Sequence, residues 1–346
     1  MRIKAVNNII GGEILAEAIL TEKKEVLIPK GTELKMGYIP LIESLGIEYL
    51  CIEDPYKNFE VPHSIIETDR VETYVLRVRK IMERHIYHST NSALNEYEEI
   101  ANDILDDVLS TSEEFVIDMN ERTANLYEHT VMVTLLSVFI AKKLRLDRKR
   151  QYNIALGCLL HDIGIRFITV PYKNIDQTKM RATTLAEYKK HTVLGFSALD
   201  HEDWIPAISK LMVLSHHERL DGTGFPMRQK NRDTECKIIQ VVDAFDCYIS
   251  GMECKRITVQ QALERIVSES GVKYDDKIVE ALVTAIAKYP VGTTVKTNAE
   301  VEQGVVVSQT ADSEKPIIML LDDKKIEEKD RMNLLLEKDV SILQVI

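Results

Sequence analysis

The chain has 346 residues, of which 45% are hydrophobic and 29% charged, the profile of a soluble globular protein long enough for two or three domains. Its formal net charge of −11 argues against non-specific binding to nucleic acid polymers or to an anionic membrane surface. An anionic substrate would therefore need a local cationic device. The opening MRIKAVNNIIGGEILAEAIL has no long apolar region or A-x-A site, so no secretory signal is read. The longest apolar run, VMVTLLSVFIA, is too short for a membrane span and reads as a core helix. Cys51, Cys158, Cys236, Cys247 and Cys254 are odd in number and scattered, without CxxC, as expected of reduced thiols in a cytoplasmic protein.

In chain order, residues 1–55 read as a small α+β module. EILAEAIL, EVLIP and IEYLCIE are short β-type runs, KKE and PKGTE supply turns, and GYIPLIESLGI predicts a short helix with Leu41, Ile42 and Leu45 on one face. DPYKNFEVPH then reads as a linker. Within 56–118, the stretch from about 64 carries amphipathic helices. Their apolar stripe permits a homodimer and serves intramolecular packing equally well. His85 and His88 lie three apart there, but no carboxylate pattern converges on them. Residues 119–290 read as all-α, with segments near 123–144, 148–162, 184–200, 206–218, 235–251, 258–269 and 275–288, separated by breakers such as KNIDQ, DGTGFP and SGV. Residues 291–346 turn β-rich, in VGTTVKT, GVVVSQ, PIIMLLDD and SILQVI. The fold class expected is mainly α, a helical bundle with a small N-terminal α+β module and a small C-terminal β appendage.

Chemistry concentrates in the helical part. His161-Asp162 ends the apolar run of LGCLLHDIGI, and His216-His217 ends that of LSHHERLDGTGFP. A core histidine and a helix-capping aspartate would explain one such pair, but not both together with what surrounds them. His129 opens HTVMVTLLSVFIAKKL, His191 sits in EYKKHTVLGF, and Asp243, with Asp246 three residues on, lies in KIIQVVDAFDCY. Acidic residues inside apolar runs are costly unless a cation or hydrogen bonds compensate. Five histidines and two aspartates (His129, His161, Asp162, His191, His216, His217 and Asp243) are too many for one structural zinc and suit two metals with open positions.

This ordered set resembles the HD-GYP family of metal-dependent phosphodiesterases, a branch of the HD superfamily. The resemblance covers about half the chain, from roughly Leu126 to Ala287, and rests on HDIG, HHERLDGTGFP and the VVDAFD segment. It implies an α-helical bundle that hydrolyses cyclic di-GMP, mainly to linear pGpG. It implies the same seven metal ligands, with Asp162 bridging two divalent transition metals, iron or manganese. Some members hold a third metal through a glutamate four residues before the first histidine. That position is Asn125 here, which implies a two-metal site. The expected catalytic residues are His161, Asp162 and Asp246, the last also a candidate to orient a ligand histidine. The expected substrate-binding residues are Arg166, Glu218, Arg219, Asp221, Gly222, Gly224, Phe225 and Lys255. Glu218, Arg219 and Asp221 read equally well as surface and turn residues, since DGTG is a good turn sequence.

Three positions depart from the family pattern. The HDxGK lysine is Ile165, the GYP tyrosine is Phe225, and the RPY motif falls at about Met252-Glu253-Cys254. Slow turnover is the expectation, and Ile165→Lys is expected to raise it roughly tenfold, less if the pocket has closed over the isoleucine. The alternative reading is a catalytically weak or inactive metal-loaded cyclic dinucleotide receptor. An HD-type diiron oxygenase would use the same ligands, but the long HHERLDGTGFP loop argues against it.

Overall fold

The structure is a computed structural model that describes residues 2–6, 9, 12–21, 25–45, 47, 49–53, 60–88, 94–112, 116–122, 124–172, 177–230, 233–321 and 331–346. The expected turn at KKE, most of the expected linker and most of KNIDQ lie outside these residues, as do the side chains of His85 and His88. By contact, the chain forms two compact units. One gathers residues 1–63, 114–123 and 284–346. The other gathers residues 64–113 and 124–283.

The first unit holds the strands. β1 (Arg2–Ala5) pairs antiparallel with β4 (Tyr49–Ile52), and β2 (Ile19–Leu20) with β3 (Val26–Ile28). Between them, the short helix α1 (Ile39–Ser44) buries Ile39 and Ile42 among Leu15, Leu34 and Leu50. Leu41 and Leu45, expected on the same face as Ile42, are exposed. β5 (Thr294–Thr297), β6 (Gln303–Ser308), β7 (Ile317–Leu320), β8 (Arg331–Asn333) and β9 (Ile342–Val345) make an antiparallel sheet in the order β8-β7-β6-β5-β9. Val295, Val306 and Ile318 form its apolar centre. One buried carboxylate ties the segments of this unit together. Asp118 accepts from the backbone amides of His63 at 2.9 Å and Val291 at 2.8 Å, and from the Gln309 side-chain amide at 2.7 Å.

The second unit is helical. The amphipathic segment forms α2 (Thr68–His88) and α3 (Glu96–Ser110), joined by Arg70–Asp107, Arg77–Asp103 and Arg84–Glu96 ion pairs. Both helices pack on α4 (Leu126–Lys143), and α3 also on α5 (Arg148–Leu160). α4 is apolar nearly all round and, Met132 apart, is buried from His129 to Ala141, as befits a helix at the middle of a bundle. Asn125 caps it, accepting from the amides of Tyr127 and Glu128. The unit continues with α6 (Ala182–Tyr188), α7 (His191–Ala198), α8 (Ala207–Ser215), α9 (Thr234–Ser250), α10 (Val259–Ser268) and α11 (Asp276–Ala285); α9 packs on α4, α8 on α5, α7 and α9, and α10 on α9. The protein is mainly α with small sheets, as its sequence predicts. The helix expected over 184–200 is instead two, broken at Lys189-Lys190 so that His191 starts α7. Among the described residues, no helix is long and apolar enough to cross a membrane.

Candidate metal centre

The site is built where helices end. His161 caps α5, His216 caps α8, and His191 follows the last turn of α6. Each turns its ring nitrogen Nδ1 onto the carbonyl three residues back: Cys158 at 2.6 Å, Tyr188 at 2.8 Å and Val213 at 2.9 Å. Carbonyls at helix C-termini run short of intrahelical donors, so a side chain can take that place. A carbonyl only accepts, so each Nδ1 carries the proton and each Nε2 is left as a lone pair. His129, near the start of α4, meets the same condition through a carboxylate, with Nδ1 2.6 Å from Asp246 Oδ2 on α9. Asp246 therefore stands behind His129 and fixes its ring.

The four Nε2 atoms point inward. His129 Nε2 is 3.2 Å from His161 Nε2, and His191 Nε2 is 3.2 Å from His216 Nε2. Two imidazole lone pairs facing at that distance repel unless a proton or a cation sits between them. Asp162 lies between the two pairs. Its Oδ2 is 3.5 Å from His161 Nε2 and 3.7 Å from His129 Nε2, while its Oδ1 is 3.7 Å from both His191 and His216 Nε2. Asp162 is 1% exposed, yet neither of its oxygens has a hydrogen-bond partner. A carboxylate buried in this way is strongly disfavoured without a cation.

Asp243, one α-helical turn before Cys247 on α9, completes the group. Its Oδ1 lies 3.2 Å from His129 Nε2 and 3.6 Å from His161 Nε2, and its Oδ2 is 3.8 Å from His217 Nδ1. Donor atoms of His129, His161 and Asp162, and those of His191, His216 and His217, form tight buried clusters able to hold metal. The donor set, borderline nitrogen with carboxylate oxygen, and the orphaned Asp162 fit transition ions.

The rings differ in their electrostatics: burial keeps His216 and His217 neutral, while neighbouring carboxylates raise His129 and His161 against burial. Burial, with the His217 charge adding to it for His216, holds the pKa of His216 and His217 well below the ordinary histidine value. Burial also opposes the His129 imidazolium, but bonds to Asp243 and Asp246 outweigh it and raise that pKa well above the usual value. Burial would raise Asp243, but the facing imidazoles of His129 and His161 take it well below the carboxylate range.

The residues expected at a substrate subsite fall into two groups. Gly222, Gly224 and Phe225 line a cleft of about 530 Å³ together with Lys189, Lys190, Val193 and Arg228. The Phe225 ring stacks on His217 at 4.5 Å between centroids, so the cleft shares a wall with the metal-binding cluster. Glu218 accepts from the amides of Met227 at 2.6 Å and Gln229 at 3.1 Å, Asp221 accepts from Thr223, and Arg219 donates to the carbonyls of His216 and Glu218. These three hold the loop in shape. Arg166 stacks over Phe167 at 4.4 Å, with burial pushing its guanidinium down to about 10, and does not line the cleft. Lys255 is exposed and likewise is not in that lining. Ile165 is 3% exposed.

Two residues at the site escape the sequence reading. Lys189, just before the α6–α7 break, places its ammonium 4.9 Å from the Phe225 ring centroid. Glu253 clusters with Asp162 and His191. The KKH run signals the first. Nothing in the pattern signals the second, which follows the C-terminal turn of α9.

The family described as HD domain matches residues 103–278. A cyclic di-GMP phosphodiesterase of Pseudomonas aeruginosa is 29% identical over 186 residues, covering 53% of this chain and 44% of that protein. A cyclic di-GMP phosphodiesterase of Thermotoga maritima is 30% identical over 195 residues, covering 54% of this chain and 50% of that protein. The chain thus spans about half the length of the curated relatives it matches. Among solved structures, an HDG"Y"P protein from Bdellovibrio bacteriovorus aligns at 17% identity and a TM-score of 0.49, covering 81% of this chain and 97% of that one. With its matched region enclosing both the His-Asp pair and the His-His pair, the chain belongs to the HD domain family.

Proposed function

We propose that the protein is a metal-dependent phosphodiesterase that hydrolyses cyclic di-GMP to linear pGpG. The observation that carries this reading is Asp162, buried, without a hydrogen-bond partner, and with one oxygen toward each histidine pair. His129, His161, Asp162 and Asp243 would hold one ion, and Asp162, His191, His216 and His217 a second, iron or manganese in each. Such a pair of ions supplies hydroxide at neutral pH and Lewis-acid charge for the phosphodiester. The −11 chain otherwise lacks the overall charge to attract an anionic dinucleotide.

The protein's own groups set the rest. Asp246 accepts the Nδ1–H of His129, and three carbonyls accept those of His161, His191 and His216, so these four rings are locked before substrate arrives. Phe225 offers a flat apolar wall to a base. Lys189 and Arg228 lie in the cleft lining as phosphate-binding cations, in place of the expected Arg166 and Lys255. Attack on phosphorus breaks the bond to the ribose 3′ oxygen and leaves a 5′-phosphate on the linear product. Curated relatives named as cyclic di-GMP phosphodiesterases support the substrate. The five cysteines, unoxidised thiols, agree with a cytoplasmic setting.

The second reading is a metal-loaded receptor, favoured by the apolar burial of Ile165 where the family has a cation. Chromatography of cyclic di-GMP incubated with anaerobically prepared protein loaded with manganese or iron separates the two. Accumulation of pGpG is expected. Tight binding with no product gives the receptor.

A further inference from the structure

The turn after α9 brings a third carboxylate to the centre. α9 stops at Gly251, whose left-handed backbone (φ 70°) reverses the chain. The Ser250 hydroxyl fixes that reversal, donating to the Asp246 carbonyl at 2.7 Å and accepting from the Met252 amide at 3.3 Å. Glu253 is thereby folded back over the helix that carries Asp243 and Asp246, and is 6% exposed. Its Oε1 lies 3.3 Å from His217 Nε2, a buried nitrogen without a hydrogen-bond partner. One Glu253 oxygen also lies within 4.8 Å of donor atoms of both Asp162 and His191. The Tyr188 hydroxyl, fully buried beside His191, lies against Glu253. Glu253 thus faces two buried groups whose own polar atoms are unpartnered, Asp162 and His217, and it brings a negative charge where Asp162 already lacks compensation. A second carboxylate placed there for packing alone would add to that cost. A cation shared by these groups removes that cost.

We propose that Glu253 is a metal ligand, giving the position formed by Asp162, His191, His216 and His217 a second carboxylate. This rests on the metal-centre reading above and adds to it. Three imidazoles and two carboxylates exceed the four donors of a closed zinc site and suit a five- or six-coordinate ion such as manganese or ferrous iron. The added negative charge also lowers the net positive charge that this position presents to a phosphodiester, and Glu253 competes with a substrate oxygen for the same coordination place.

The test is manganese binding to metal-free wild type, Glu253→Gln and Glu253→Asp, followed by equilibrium dialysis with elemental analysis and by electron paramagnetic resonance. Wild type is expected to hold about two ions per chain with the spectrum of a coupled pair. Glu253→Gln is expected to hold one ion at wild-type affinity and the other at least about tenfold more weakly, with an isolated six-line manganese spectrum at low loading. Glu253→Asp, which keeps the carboxylate on a shorter stem, should recover part of the loss. The metal-free melting temperature of Glu253→Gln should equal or exceed that of wild type, because one clustered buried charge is gone. Two ions in Glu253→Gln at unchanged affinity and spectrum overturn the assignment. A metal-free melting temperature that falls in Glu253→Gln also overturns it, since Glu253 would then serve packing. Wild type that holds no metal sinks the whole centre instead, so the two failures are distinguishable.

Discussion

At Ile165 one residue decides between two routes for binding phosphate. The family pattern places a lysine there, and its return by Ile165→Lys would add a cation. The side chain, however, is 3% exposed. A lysine forced into that niche is desolvated and loses its charge, and the change is expected to destabilise the protein by about 2–4 kcal/mol without raising turnover. The tenfold gain expected from sequence is therefore not expected from the structure, and kcat/KM together with a melting curve of Ile165→Lys checks it. A clear gain would mean that the niche opens to substrate. Lys189 is the better placed cation, in the cleft beside Phe225. Lys189→Ala should lower kcat/KM or dinucleotide affinity roughly ten- to a hundredfold, the worth of a charged hydrogen bond of about 1.5–3 kcal/mol. Unchanged kinetics would remove Lys189 from the substrate's path. The histidines and aspartates stood out because His-Asp and His-His pairs at the ends of apolar runs are rare. Lys189 was marked only by the KKH run, and Glu253 was not legible, since nothing local distinguishes it from the many other charged residues of the chain.

At the scale of elements, the glycine of HDIG has a packing reason. A Cβ on Gly164 would overlap the His191 carbonyl oxygen and lie 2.7 Å from the Gly195 amide nitrogen. The 163–167 turn and α7 touch backbone to backbone at this point, which sets Asp162 against His191. No flexible side chain is there to yield. Gly164→Ala is expected to cost about 3 kcal/mol or more and to lose metal with it, measured by urea unfolding and elemental analysis. A folded Gly164→Ala with full metal would show that the contact can relax. The helical periodicity of 184–200 was legible but its interruption was not. Tyr188 to His191 carries no proline or glycine, and the break exists because the His191 ring takes the Tyr188 carbonyl. Likewise, Leu41 and Leu45 follow helical spacing on paper, while the six-residue α1 buries Ile39 and Ile42 instead. So short a helix has room for one buried stripe, and tertiary contacts choose it.

Over the whole molecule, class and composition were easy to read, while the grouping of segments was not. The strands of 291–346 read from sequence as an appendage after the helices, yet by contact they share a unit with residues 1–63 and 114–123. Such grouping depends on long-range bonds that leave no local pattern. Asp118 is one, with donors at residues 63, 291 and 309. Asp118→Ala should destabilise that unit by about 2–4 kcal/mol, because three donors lose their acceptor. Metal content should stay unchanged, since the ligand cluster lies in the other unit. Denaturant unfolding read beside elemental analysis checks both halves of that statement.

Asp162 and the five histidines are proposed to form a two-metal centre. Elemental analysis of protein prepared anaerobically with iron or manganese supplied tests it most directly, with Asp162→Asn alongside. The account predicts about two ions per chain in the wild type and loss of most of both in the variant, because each Asp162 oxygen faces a different histidine pair. A wild type without metal, or an Asp162→Asn protein that keeps both ions, would contradict it.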